Sequence, residues 1–121
     1  MLQTTNSKPG TYDLEERTFQ FARRVNGYVA KLPKSISNIE NGKQLVRAAG
    51  SIGANYIEAN ESLSKKDFVM RAKISKKETK ECRFWVRLTE PLESERKEQE
   101  FLLQKATELM RIFGAILEKF K

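Results

Sequence analysis

The amino-acid sequence predicts an all-α chain folded as an antiparallel up-down-up-down four-helix bundle. Four segments place apolar residues at alternating steps of four and three, which is the seam of a bundle helix. Glycine and proline are scarce inside those segments, so little interrupts them. Apolar residues make up 39% of the chain and charged residues 32%, a balance that suits long exposed helices rather than a thick multilayer fold. At 121 residues the chain has room for one core.

Residues 1–12, rich in Thr, Asn, Ser, Pro and Gly, carry no apolar period and read as a flexible N-terminal segment ahead of a bundle domain over 13–121. The first helix follows Leu14, Thr18, Phe21, Val25, Tyr28 and Leu32, with Asp13 as N-cap, Glu15 and Glu16 in the first turn and Pro33 as the stop. A second helix is expected from Ser37 or Asn38 to Glu61, through Leu45, Val46, Ala49, Ile52, Tyr56 and Ile57. Its middle, Ala48 to Ala54, is small in volume, and each of Gly50 and Gly53 costs about 1 kcal/mol of helix propensity. A neighbouring helix packed close against it would offset that cost. Ser64 is placed to cap the third helix, with Asp67 three residues on as an approximate capping box. Pro91 closes it, and a fourth pattern from about Ser94 follows Leu102, Ala106, Leu109, Phe113, Ile116 and Phe120.

Most of the net charge sits on the third helix. From Ser64 to Leu88 it carries nine cations against three anions, a net +6 out of +7 for the whole chain. At 100° per residue Lys65, Lys66, Lys73, Lys76, Lys77, Lys80, Arg83 and Arg87 fall within an arc of roughly 120°, while Arg71 lies outside it. Charged helix faces are commonly solvated and alternate in sign at i, i+4. This one has almost no acid, and like charges at that spacing cost a few tenths of a kcal/mol per pair. A polyanion that compensates them is the expected partner, and these eight residues are the candidate nucleic-acid contacts. Arg23, Arg24 and Arg47 are candidates to extend the patch.

Opposite the cations, Phe68, Ala72, Ser75, Thr79, Cys82 and Val86 form a seam of mostly small residues, which predicts an unusually close approach of helices two and three. A third strip gathers Met70, Ile74, Trp85 and Leu88 with Asp67, Glu78 and Glu81. Its apolar members, including the one tryptophan, form a candidate subunit contact. Phe84 falls among the cations, where it either stacks on an unpaired base or packs against a neighbour. Asn55 and Glu58 are read as part of a polar network that sets helix register, with Asn55 bonding to Glu78 or Lys77; ligand contact is the alternative.

Several classes of function drop out. Without histidine there is no histidine-based triad, no Glu-x-x-His di-iron site and no histidine pH switch, so the chain carries no catalytic constellation and no metal or cofactor is expected. The lone Cys82 points to small-residue packing in a reducing compartment rather than to a nucleophile. The Asn60-Glu61-Ser62 sequon is a chance match in a cytosolic chain. No apolar run approaches 18 residues, and no secretory leader pattern opens the chain; a cytoplasmic location is expected. Gly50-Ser51-Ile52-Gly53 lies within a helix rather than in a phosphate loop after a strand, and classical helix-turn-helix spacing is missing.

Two segments carry a family resemblance: Gln44-Leu45-Val46-Arg47-Ala48-Ala49-Gly50-Ser51-Ile52-Gly53-Ala54-Asn55-Tyr56-Ile57-Glu58-Ala59-Asn60-Glu61, and Ser64-Lys65-Lys66-Asp67-Phe68 with Lys77-Glu78-Thr79-Lys80-Glu81. The chain resembles the bacterial four-helix bundle proteins encoded within intervening sequences of 23S ribosomal RNA genes, the S23 family, over about residues 12–120. That family is similar to the accessory variability protein of diversity-generating retroelements. The resemblance implies a non-enzymatic, nucleic-acid-associated homo-oligomer, a ring-shaped pentamer, with no catalytic residues to transfer. Arg47, Ser51, Asn55, Glu58, Phe68 and Glu78 match the family pattern. Thr79, Cys82 and Thr89-Glu90-Pro91 depart from it, which bears on the turn after the third helix. The function expected is binding of structured RNA or DNA; the alternative is a module that docks an acidic protein such as a mobile-element enzyme.

Overall fold

A computed structural model describes residues 9–121, with side chains from Leu14 onward. Four helices follow one another: α1 (Pro9–Ala30), α2 (Ile36–Asn60), α3 (Lys65–Leu88) and α4 (Arg96–Glu118), with a 3-10 turn at Glu93–Glu95 ahead of α4. Each helix packs on its neighbours in the chain, and α1 closes against α4. Short turns between consecutive helices make the arrangement the expected antiparallel four-helix bundle.

The seams bury as the periodicity requires. Leu14, Phe21, Val25 and Tyr28 of α1 and Leu32 just after it meet Leu45, Ile52 and Tyr56 of α2, Cys82 and Val86 of α3, and Leu102, Leu109 and Phe113 of α4 in one core. Tyr56 and Phe113 meet edge to face, with ring centroids 5.6 Å apart.

Local signals set the helix ends with small corrections. Ser64 Oγ accepts from Asp67 N at 3.1 Å, as expected of the N-cap of α3. The cap of α2 is Ser35, two to three residues earlier than expected, its Oγ accepting from Asn38 N at 3.1 Å. α1 runs back to Pro9, so Asp13 lies inside a helix rather than at its cap. Of the expected flexible segment, residues 1–8 lie outside the described residues.

The turns at one end are tied by Asn38, a candidate start of the second helix on sequence grounds and in the structure a staple between two turns. Buried Asn38 donates from Nδ2 to Pro33 O and Glu90 O, both at 3.0 Å, and accepts from Glu90 N at 2.9 Å. Tyr28 Oη and Thr89 Oγ1 share a buried hydrogen bond of 2.8 Å, and Gln99 Nε2 donates to Val86 O and Thr89 O, both at 3.1 Å. Backbone carbonyls at the end of α3 therefore find donors from the turn and from α4, and the departures at Thr89 and Glu90 are absorbed into this cluster.

The α2–α3 contact is the most extensive in the bundle, in keeping with the small residues on both. Ser75 Oγ reaches the Ile52 carbonyl at 2.9 Å, a bond that requires close backbones. The glycines have a different explanation. A Cβ at Gly53 would sit 2.9 Å from Thr18 Oγ1, so its close neighbour is α1. At Gly50 a Cβ would meet nothing within 4 Å, and no packing offsets its cost.

Candidate nucleic-acid interface

α3 is amphipathic in three directions, and the tertiary fold assigns a neighbour to each. The seam of Ala72, Ser75, Thr79, Cys82 and Val86 is buried. Burial, together with the charges of Glu78 and Glu81, pushes the Cys82 thiol well above its ordinary range, which makes it a packing residue.

The flank toward α2 is a polar lattice. Glu78, expected on an outer strip, is buried, and Arg47 Nη2 reaches it at 3.5 Å and Glu81 at 2.9 Å. Asn55 does not bond to Glu78 or Lys77. Its Nδ2 donates to Ser51 O at 2.9 Å, and its Oδ1 accepts from Arg71 Nη1 at 3.1 Å. Arg71, the one cation outside the arc, is thus consumed by helix pairing.

The flank toward α4 holds the cations. Lys73, Lys76, Lys77 and Lys80 line a groove of about 340 Å³ whose other wall is Gly114, Leu117 and Glu118 of the C-terminal part of α4 and Lys121 just beyond it. Lys76 lies over Gly114, its Nζ 3.6 Å from where a Cβ would be, so the missing side chain leaves room for an ammonium group between the helices. Lys65 extends over the Phe120 ring at 5.7 Å from its centroid, and Phe120 in turn packs on Phe68 at 5.2 Å. Arg83 turns inward, donating from Nη1 to Met110 Sδ at 3.9 Å, and its buried Nε has no partner among the described residues. Lys66 and Arg87 are exposed near the two ends of the helix.

Among the described residues, none of these eight cations makes an ion pair. The groove's one acid, Glu118, is held by Lys121 at 2.9 Å. Arg24, by contrast, pairs with Glu98 at 2.6 Å and lies 3.8 Å over the Phe101 ring, and Arg47 faces α2–α3. Neither extends the patch, and Arg23 sits on α1 beside Phe19, whose ring centroid is 5.9 Å away.

The α4 wall is not encoded in the spacing of α3. Gly114 inside a helical pattern was the available signal, but its neighbour depends on how two helices dock.

The apolar strip divides. Met70 is 48% and Leu88 44% exposed, while Ile74 is half-buried and Trp85 packs against the core with its Nε1 buried and without a partner among the described residues. Ile39, Val46 and Ile57, which the sequence pattern counts with the apolar residues of the second helix, do not join its buried seam but form a second exposed apolar strip along α2. These three fall within roughly 20° of one another around the helix. Ile39 and Val46 border a groove of about 400 Å³ shared with Val29 of α1 and Leu32 in the turn after it.

The profile of the 23S rRNA-intervening sequence proteins matches residues 11–115, nearly the whole bundle. The chain belongs to that family. A solved structure of a protein of unknown function of the S23 ribosomal protein family, from Bacteroides thetaiotaomicron VPI-5482, is similar to this intervening-sequence protein at 25% identity and a TM-score of 0.70. The match covers 86% of this chain and 97% of that one, so most of this chain shares the fold of that structure. No curated protein sequence matches significantly. No helix among the described residues is long and apolar enough to cross a membrane.

Proposed function

We propose that this intervening-sequence protein is a cytoplasmic, non-enzymatic binder of RNA or DNA that grips phosphates through the α3–α4 groove. The observation that carries this reading is the set of eight α3 cations without an acid partner among the described residues, four of which line the groove. Five or more ammonium and guanidinium groups along one rod repel one another and attract a polyanion over a distance of about a Debye length, roughly 8 Å at physiological salt. Phosphate contacts position a nucleic acid without reading its bases, so selectivity follows from its shape.

The binder acts as a homo-oligomer in this reading. Two different apolar strips, Met70–Leu88 on α3 and Ile39–Val46–Ile57 on α2, support a heterologous contact, and a heterologous contact that closes gives a ring. A pentamer is the number the family resemblance implies. Sedimentation or light scattering on the purified chain measures it; a monomer at micromolar concentration removes this part of the reading.

Salt titration tests the binding itself. Engagement of four to eight phosphates gives a log-log slope of affinity against salt of about −4 to −7 on duplex DNA. A flat dependence overturns the proposal. Docking of an acidic protein is the competing outcome, recognised by purified material free of nuclease-sensitive absorbance at 260 nm together with no affinity for RNA or DNA.

A further inference from the structure

We propose that the nucleic acid bound by α3 presents unpaired nucleotides, and that Phe84 is the platform on which one of their bases stacks. This rests on the phosphate-binding reading above and names the class of ligand within it.

Phe84 is 54% exposed in the middle of the cationic arc. Lys80 stands one turn before it, Lys77 two turns before and Arg87 one turn after; all three are exposed and without an ion pair among the described residues. Its ring meets Trp85 at 5.0 Å between centroids and at 81° between planes, and Trp85 packs against the core. The indole buttresses one side of the phenyl ring while Phe84 stays more than half exposed, which leaves aromatic surface for a ligand. An aromatic face with cations a helical turn away on either side offers a base and its flanking phosphates a complementary surface.

The surroundings of the ring separate this ligand from two others. A protein partner would have to bury lysines around Phe84, and lysine is depleted from the cores of protein interfaces. A continuous duplex keeps its bases stacked on one another and presents no free π-face, whereas loops, bulges and strand ends do.

The test compares a single-stranded RNA of about 20 nucleotides, the same strand annealed to its complement, and inorganic polyphosphate of matched charge. Anisotropy of the labelled strands and displacement by polyphosphate give the affinities. The fluorescence of Trp85, the chain's one tryptophan, reports directly on its neighbour. The single strand is expected to bind more tightly than the duplex or the polyphosphate and to change Trp85 emission. Phe84→Leu is expected to lower single-strand affinity about five- to tenfold while polyphosphate affinity and the salt slope stay put, and Phe84→Trp to restore it. Equal single-strand affinities of the wild type and both variants overturn the stacking while leaving phosphate binding intact. A change in sedimenting mass on Phe84→Leu with affinity unchanged does the same. Absence of binding to all three probes overturns the phosphate reading, and this inference with it.

Discussion

On the side of α3 that faces α2, Glu78 and Glu81 meet Arg47, and Arg71 meets Asn55, so that each charge has a named partner on the other helix. On the side that faces α4, Lys73, Lys76, Lys77 and Lys80 look across a groove at Gly114 and Leu117, and the one carboxylate there is already held by Lys121. The two flanks belong to the same helix and differ in what their charge is for. Paired charge between helices fixes register, because a slip of one turn leaves a buried carboxylate without its guanidinium. Unpaired charge adds nothing to the fold and costs some stability through repulsion, which an external polyanion relieves.

The sharpest way to break this contrast is to remove equal charge from two places. Lys73→Ala, Lys77→Ala and Lys80→Ala together are expected to lower affinity for single-stranded RNA about tenfold to a hundredfold near physiological salt and to flatten the salt slope by about 2 to 3. Arg17→Ala, Arg24→Ala and Lys105→Ala remove the same three charges from the α1–α4 seam, where they pair with Glu108 and Glu98. That triple is expected to change affinity less than about twofold. Equal losses in the two triples would mean that net charge alone, not the groove, governs binding.

On the paired flank the readout is stability. Arg47→Ala leaves Glu78 buried without its partner and is expected to cost about 1–2 kcal/mol in urea unfolding, with the salt slope of binding unchanged. Cys82, beside the same carboxylates, sharpens the point through pH. Its thiol is held neutral in the folded chain while an unfolded one ionises near 9.0, so unfolding releases a proton above that value. The sign is therefore a loss of stability as pH rises past 9, by about 1.4 kcal/mol per unit from this group. Cys82→Ala is expected to lack that component when unfolding is followed from pH 8 to 10.

The smallest effects come from the glycines of α2, and they have opposite signs. Gly53→Ala drives a methyl to 2.9 Å from Thr18 Oγ1 and is expected to destabilise by about 1 kcal/mol. Gly50→Ala meets open space and is expected to stabilise by about the same amount, through helix propensity. Thermal unfolding of the two variants measures both.

Much of this is legible in the sequence, for identifiable reasons. Leu14 to Leu32 and Leu102 to Phe113 bury because a four-three spacing leaves an apolar stripe no other stable place. Ser64 caps α3 because its hydroxyl satisfies a donor that the helix cannot. The cationic arc was visible because helical angle is a property of one chain segment. Ser35 and Asn38 were less visible, since capping and turn stapling compete with a periodicity that continues past them. Helical angle alone misplaces Glu78, because 100° per residue puts it at the edge of the outer strip and only the position of Arg47 on α2 decides that the carboxylate turns inward.

The sequence by itself determined the four helices, their buried seams and the one-sided charge of the third, since each depends on spacing along a single segment. The tertiary structure alone decided that α4 walls the lysines, that α1 rather than α3 meets Gly53, and that Arg24 and Arg47 are spent on carboxylates while the groove's cations are not. Those outcomes depend on which side chains from distant segments come within a few ångströms of one another, and a helical period contains no information about the neighbour it will meet.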